Sequence, residues 1–253
     1  MFKYSNLVTI LDTNSPQHKS WFLNENNEYK LIDKKFSKYF SFKEVAISDI
    51  YDLHSLVEKY AYKKNSCFIR GKITEHAYYE QLKGYKIRRV INEKLENNIL
   101  VKKTICDYPK KWLMLDIDNF PAPKGIDINL STHRENAVEK FISTLHESFH
   151  NSSYVCQFSN GMLLGSKNIK AHLWFVLSES YDCKTLQPWF EKECKGVDKC
   201  VFRPAQLLYT SNPVFENSCD PLGNTRIYLK EKEKNTVKLP KSSIIEEYLN
   251  LRD

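Results

Sequence analysis

The stretch Trp112 to Asp118, WLMLDID, constrains the fold more than any other: an apolar run closes on two carboxylates one residue apart. As a strand it alternates its side chains, so Leu113, Leu115 and Ile117 face one way and Trp112, Met114, Asp116 and Asp118 the other. One face reads as core and the other as chemistry. Two carboxylates roughly 7 Å apart along a strand repel each other, a cost that a bound divalent cation removes. A second strand is predicted at Lys170 to Leu177, KAHLWFVL, with Ala171, Leu173, Phe175 and Leu177 on one face and Lys170, His172 and Trp174 on the other. Acids on one strand to hold a cation, with Lys170 and His172 on another to meet an anion, are the pairing a metal-bound triphosphate requires.

The 253 residues, 42% of them hydrophobic, suffice for one large domain or two small ones with a proper core. No run of about 18 apolar residues occurs and the N-terminus MFKYSNLVTILDTN lacks a long uncharged core, so neither a membrane partner nor a signal peptide is expected and the predicted location is cytoplasmic. Seven cysteines, an odd number without tight pairing, read as thiols. Cys183, Cys194, Cys200 and Cys219 fall in one third of the chain but form no CxxC pair, so zinc is not expected. Charge is uneven: through Lys111, 21 Lys and Arg stand against 13 Asp and Glu, and the remainder carries 17 against 18. A basic half beside a candidate metal site suggests a polyanion track, although a solubilising lysine surface accounts for charge alone.

Lys34, Lys35 and Lys38 interleave with Phe36, Tyr39, Phe40 and Phe42, a pattern that stacks on bases or simply packs. The spacing of Ile50, Leu53, Leu56, Val57 and Tyr60 predicts a helix with Ser48 as N-cap. A strand over Cys67 to Ile73, a helix over Thr74 to Leu82 ending near Gly84, and two basic strands around Glu96 to Asn98 follow. This places Arg70, Arg88 and Arg89 on strands, able to reach phosphate or a local Glu. Thr132 and Glu135 fit a capping box for a helix whose stripe is Val138, Phe141, Ile142, Leu145 and Phe149. Tyr154 to Phe158 is a predicted strand, Ser159 to Asn168 a loop, Leu186 to Cys194 a helix, VFRPAQLLYT part of a strand pair broken at Asn212 and Pro213, Arg226 to Leu229 a strand, and Ser243 with Glu246 the cap of a last helix. GMLLGSK, with three residues between its glycines, is not a P-loop.

From Trp112 the order is strand, helix, strand, strand, helix, strand, the split βαβ of ferredoxin-like and RRM-like folds. The expected architecture is α+β: a basic, template-binding α/β lobe over 1–105, an RRM-like catalytic core over 106–235, a tail with a short helix over 236–253, and the active site in the cleft between lobe and core.

Asp116-x-Asp118 at a strand end, Lys170-x-His172 starting a strand, and Gly-Val-Asp198 ahead of VFRPAQLLYTSNP together resemble the three motifs of the archaeo-eukaryotic primase superfamily, most closely the primase-polymerases of plasmids, phages and other mobile elements. The resemblance spans about residues 65–230. It implies that Asp116, Asp118 and Asp198 hold two divalent cations, Mg²⁺ or Mn²⁺, that His172, Lys170, Ser166 and Arg203 bind the nucleoside triphosphate, and that Arg70, Arg88 and Arg89 follow a single-stranded DNA template. It also implies a replicative helicase or other replication protein as partner. Hard oxygen ligands suit Mg²⁺, and two such ions serve nucleotidyl transfer without a protein nucleophile. Lys170 stands where the family often has Ser, with Ser166 or Ser159 as alternative hydroxyls. A DNA-dependent primase or polymerase is the leading expectation. A non-catalytic single-strand-binding or replication-initiator domain is the alternative, against which the carboxylates at the centre of the face argue.

Overall fold

The computed structural model describes residues 4–32 and 37–250; Lys34, Lys35 and Phe36 lie outside them. It is a mixed α+β fold with several antiparallel sheets and five α-helices among the described residues.

The first half contains β1 (Leu7–Asp12), β2 (Ser20–Leu23), β3 (Tyr29–Ile32), β4 (Tyr39–Ala46), α1 (Ile50–Ala61), β5 (Ser66–Ile69), β6 (Lys72–Ile73), α2 (Glu75–Leu82), β7 (Ile87–Arg88), β8 (Lys94–Glu96), β9 (Ile99–Val101) and β10 (Ile105–Cys106). Its main sheet is antiparallel in the order β5-β1-β4-β7. Helix α1 buries the expected stripe, but its N-cap is Asp49 rather than Ser48, because the Asp49 carboxylate accepts from the amides of Tyr51 and Asp52. Helix α2 is capped by Thr74 and followed by Gly84 at φ +87°. Asn97 and Asn98, both at positive φ, turn β8 into β9.

The strand expected over 67–73 breaks in two. At Gly71 a Cβ would stand 2.4 Å from Ile105 Cγ2 and 2.7 Å from the Pro204 carbonyl, so the chain passes a gap open only to glycine and leaves the main sheet for the β6-β10 pair. Arg70 turns inward at this break.

The second half contains β11 (Lys110–Pro121), α3 (Ser131–Ile142), β12 (Tyr154–Phe158), β13 (Asn168–Tyr181), α4 (Cys183–Glu193), β14 (Val214–Phe215), β15 (Ile227–Lys230) and α5 (Ser242–Asn250). Its sheet runs β11-β13-β12-β15 with antiparallel neighbours, so β11 and β12 are parallel strands with β13 between them. Strand β15 sits at the far edge, beside β12, and β11 keeps an edge of its own.

Several boundaries differ from expectation for local reasons. No capping box forms, since Thr132 lies inside α3 and the N-cap is Leu130, without a side-chain bond; instead the Arg134 guanidinium donates to the carbonyls of Ile128 and Asn129 just ahead of the helix. Helix α3 stops at Ile142, where Ser143 and Thr144 hydroxyls bond back to the carbonyls of Lys140 and Phe141, and a 3-10 turn returns Phe149 to the core. Helix α4 begins earlier than expected because Asp182 caps it, and Ser243 lies within α5. VFRPAQLLYT forms no regular strand: a 3-10 turn over Lys199–Phe202 is followed by a bridge between Leu208 and Phe68.

One apolar core joins the two halves. Val8, Ile10 and the buried face of α1 share this core with β11 and β13, where Trp112, Met114 and Trp174 are buried as fully as Leu113, Leu115 and Leu173. The expectation of one core face and one open face fails here, because the N-terminal half covers the second face until the strand reaches Asp116. Val237, Leu239 and Ile245 of the C-terminal segment are buried in the same core.

Candidate active site

Cover ends where β11 meets its two acids. Asp116 and His172 are register partners on neighbouring strands, with His172 Nε2 3.7 Å from Asp116 Oδ1. That oxygen is buried and makes no hydrogen bond. Burial first, then the nearby charges of Asp118 and Asp198, push the Asp116 carboxyl above the usual aspartate range, with His172 and Lys19 opposing. Just beyond Ile117 the register slips: Asp118 and Asn119 fit between the Ile117–Ala171 and Phe120–Ile169 pairs, opposite Lys170 alone. Such a bulge re-aims a side chain, and Asp118 stands exposed.

Asp198 arrives on the free edge of β11. Its amide donates to the Asp116 carbonyl at 3.1 Å, and its Oδ1 accepts from the Cys200 amide at 2.8 Å, capping the 3-10 turn. Gly196, at φ +87°, makes the preceding turn. Thus the three acids are brought to one strand end although about 80 positions separate them.

A cavity of about 180 Å³ opens over this strand end, lined by Gln17, His18, Lys19, Asp116, Asp118, Ser159, Asn160, His172 and Tyr209. Asp118 is shared with a neighbouring groove that Asn119, Phe120, Gly196, Val197 and Asp198 line. The donor set fits a hard cation: carboxylates in mutual repulsion, one with an orphaned oxygen. Among the described residues, however, no three His, Cys, Asp or Glu side chains stand grouped closely enough to hold a metal ion.

Other expected site residues are scattered. Lys170 and Ser166 do not line the cavity; Ser166 instead accepts from the Asn168 amide, and the hydroxyl that reaches the cavity is Ser159. Arg203 is exposed beyond the 3-10 turn, away from the cavity lining. Arg70 is not a template contact: it is 1% exposed, stacks over Trp112 and donates to the carbonyls of Trp112 and Tyr181. Arg88 is half-buried in a forked pair with Glu96, whose carboxyl is held down at about 2, and Arg89 donates to the Ala205 carbonyl.

The residues that sequence reasoning missed are Gln17, His18, Lys19 and Asn160. The first three belong to the short polar link between β1 and β2, which carries no periodicity. Hydrogen bonds to the Lys64 carbonyl, nearly 50 positions away, and from the Val214 amide to the Lys19 carbonyl fix it over the acids. Tyr209 is held near by the Gln157 side chain, which donates to the Thr210 carbonyl. Comparison with family models, curated proteins and solved structures gives no significant match.

Proposed function

We propose that this protein is a metal-dependent nucleotidyltransferase, a primase or polymerase of the archaeo-eukaryotic primase type, acting on nucleoside triphosphates and single-stranded DNA. The observation that carries the reading is the meeting of Asp116, Asp118 and His172 around one cavity, with Asp198 hydrogen-bonded to the Asp116 backbone. The parallel β11 and β12, joined through α3 with β13 between them, support an RRM-like split βαβ core. Strand β15 at the far edge departs from the simplest form of that core.

In this reading Asp116 and Asp118, which share the cavity, would hold Mg²⁺ or Mn²⁺, with the Asp198 side chain closing on the ion from the adjoining groove, and the ion would supply activation of the attacking 3′-hydroxyl and stabilisation of the departing pyrophosphate. The chain's own part is positional. Asp116 presents its unpartnered oxygen from a strand clamped on both faces, the Asp118 bulge turns the second acid outward, and His172 offers an imidazole to the phosphates from the adjacent strand. Little further protein chemistry is needed, because nucleotidyl transfer rests on orientation and charge stabilisation. Arg88 and Arg89 remain as template contacts.

A primer-synthesis assay on unprimed single-stranded DNA, with ribonucleotide and deoxyribonucleotide pools in turn, tests the activity. The wild type is expected to make product that Asp116→Ala and Asp118→Ala lose. Product from Asp116→Ala at the wild-type rate would sink the catalytic reading.

A further inference from the structure

The cavity has a second wall that the three acids do not provide. It is the 17–19 link, fixed in place by backbone bonds: the Gln17 amide donates to the Lys64 carbonyl at 2.7 Å, and the Lys19 carbonyl accepts from the Val214 amide at 3.0 Å. Two features of this wall bear on a ligand, the second of them on an anionic one. Gln17, a residue of the cavity lining, is 1% exposed, and its Oε1 meets no hydrogen-bond donor of the protein while its Nε2 donates to the Ser15 carbonyl, so it is an unsatisfied acceptor suited to a donor or a cation and not to a phosphate oxygen. Lys19 is exposed, and among the described residues it is the one Lys or Arg lining the cavity.

A triphosphate entering beside Asp116 and Asp118 meets like charge and needs cationic groups besides any metal. His172 supplies a full charge only when protonated. Lys170, the cation expected from the sequence, has its stem beside Gly161, with Cδ 3.7 Å from where a Cβ would stand there, and does not line the cavity. Lys19 is near enough for its charge to act on Asp116.

We propose that Lys19, carried by the N-terminal half, contacts the phosphates of the bound nucleotide, in the role that the sequence motif assigns to Lys170. This rests on the nucleotide-site reading above. The N-terminal half then contributes directly to substrate binding, and the site is complete only when the β1–β2 link is seated on Lys64 and Val214.

Binding of a fluorescent nucleoside triphosphate in the presence of Mg²⁺ tests this without relying on turnover. Lys19→Ala and Lys19→Gln are expected to weaken binding roughly tenfold or more, the scale of a lost charge-assisted hydrogen bond, with thermal midpoints unchanged. Lys19→Arg should keep most of the affinity, and Lys170→Ala should bind close to the wild type. If the wild type binds and Lys19→Ala binds as well, or Lys170→Ala loses more than Lys19→Ala, the assignment to Lys19 falls while the nucleotide site stands. If the wild type binds no nucleotide, both fall together.

Discussion

The junction between the two four-stranded sheets and the end of the second sheet treat buried charge in opposite ways. At the junction, buried cations are spent on backbone carbonyls: Arg70 on Trp112 and Tyr181, Lys110 on Tyr4 and Leu7. At the end of β11 a largely buried carboxylate is left with an orphaned oxygen and two acids nearby. Cations bonded to backbone carbonyls tie the halves together, although Arg70 Nε is itself left without a partner; what sets Asp116 apart is that the residue with the orphaned oxygen lines a cavity beside two further acids. The contrast also separates two sets of basic residues that look alike in sequence. Arg70 belongs to the framework and Lys19 to the cavity.

The largest effect expected from breaking this contrast is at Arg70. Replacing it with Met removes two charge-assisted hydrogen bonds to buried carbonyls, a loss of about 4 kcal/mol in urea denaturation. A change within experimental error would make Arg70 a candidate for ligand binding again.

Lys110 sharpens the same point through pH. It is 0% exposed, and desolvation lowers its pKa from 10.5 to about 8. Between these values the unfolded chain binds the proton that the folded chain has released, so this group's contribution makes stability rise with pH and then level off. The gain is on the order of 3 kcal/mol. Subtracting the profile of Lys110→Met from that of the wild type isolates it; parallel profiles from pH 7 to 11 would contradict the buried, desolvated amine.

Smaller still is the effect of the surface arginines. Arg88→Glu or Arg89→Glu should weaken single-stranded DNA binding and reduce the dependence of log affinity on log salt by about one for each phosphate no longer neutralised. An unchanged salt slope in both variants would remove them from the template path. Because Arg88 is already paired with Glu96, Arg89 is expected to show the larger change.

Much of this arrangement was legible in the residues, within limits set by distance along the chain. Strands β11 and β13 announce themselves by apolar alternation, and the acids and His172 by interrupting it. The pairing of Asp116 with His172 is a matter of register, which spacing within each strand does not determine. The segment at 203–210 reads as a strand by composition, yet its bonds go to Phe68 and Gly71 across the molecule, so it forms a bridge instead of a ladder. Arg70 sits in an alternating strand pattern that Gly71 breaks, and only the closeness of Ile105 and Pro204 shows why. Lys19 was invisible because nothing in QHKS distinguishes a cavity wall from a loop until Lys64 is seen to hold it.

The central claim is the proposal that the carboxylates at the end of β11 form a binding site for a divalent cation. Its most direct test is thermal unfolding of the wild type and Asp116→Asn, with and without Mn²⁺. Asp116 has its proton affinity raised in the folded state, so above that range its ionised form opposes folding, and Asp116→Asn is expected to melt higher than the wild type when no metal is present. Saturating Mn²⁺ should raise the wild-type midpoint and leave that of the variant nearly unmoved. A variant no more stable than the wild type in chelator, with both midpoints shifted equally by Mn²⁺, would contradict the claim.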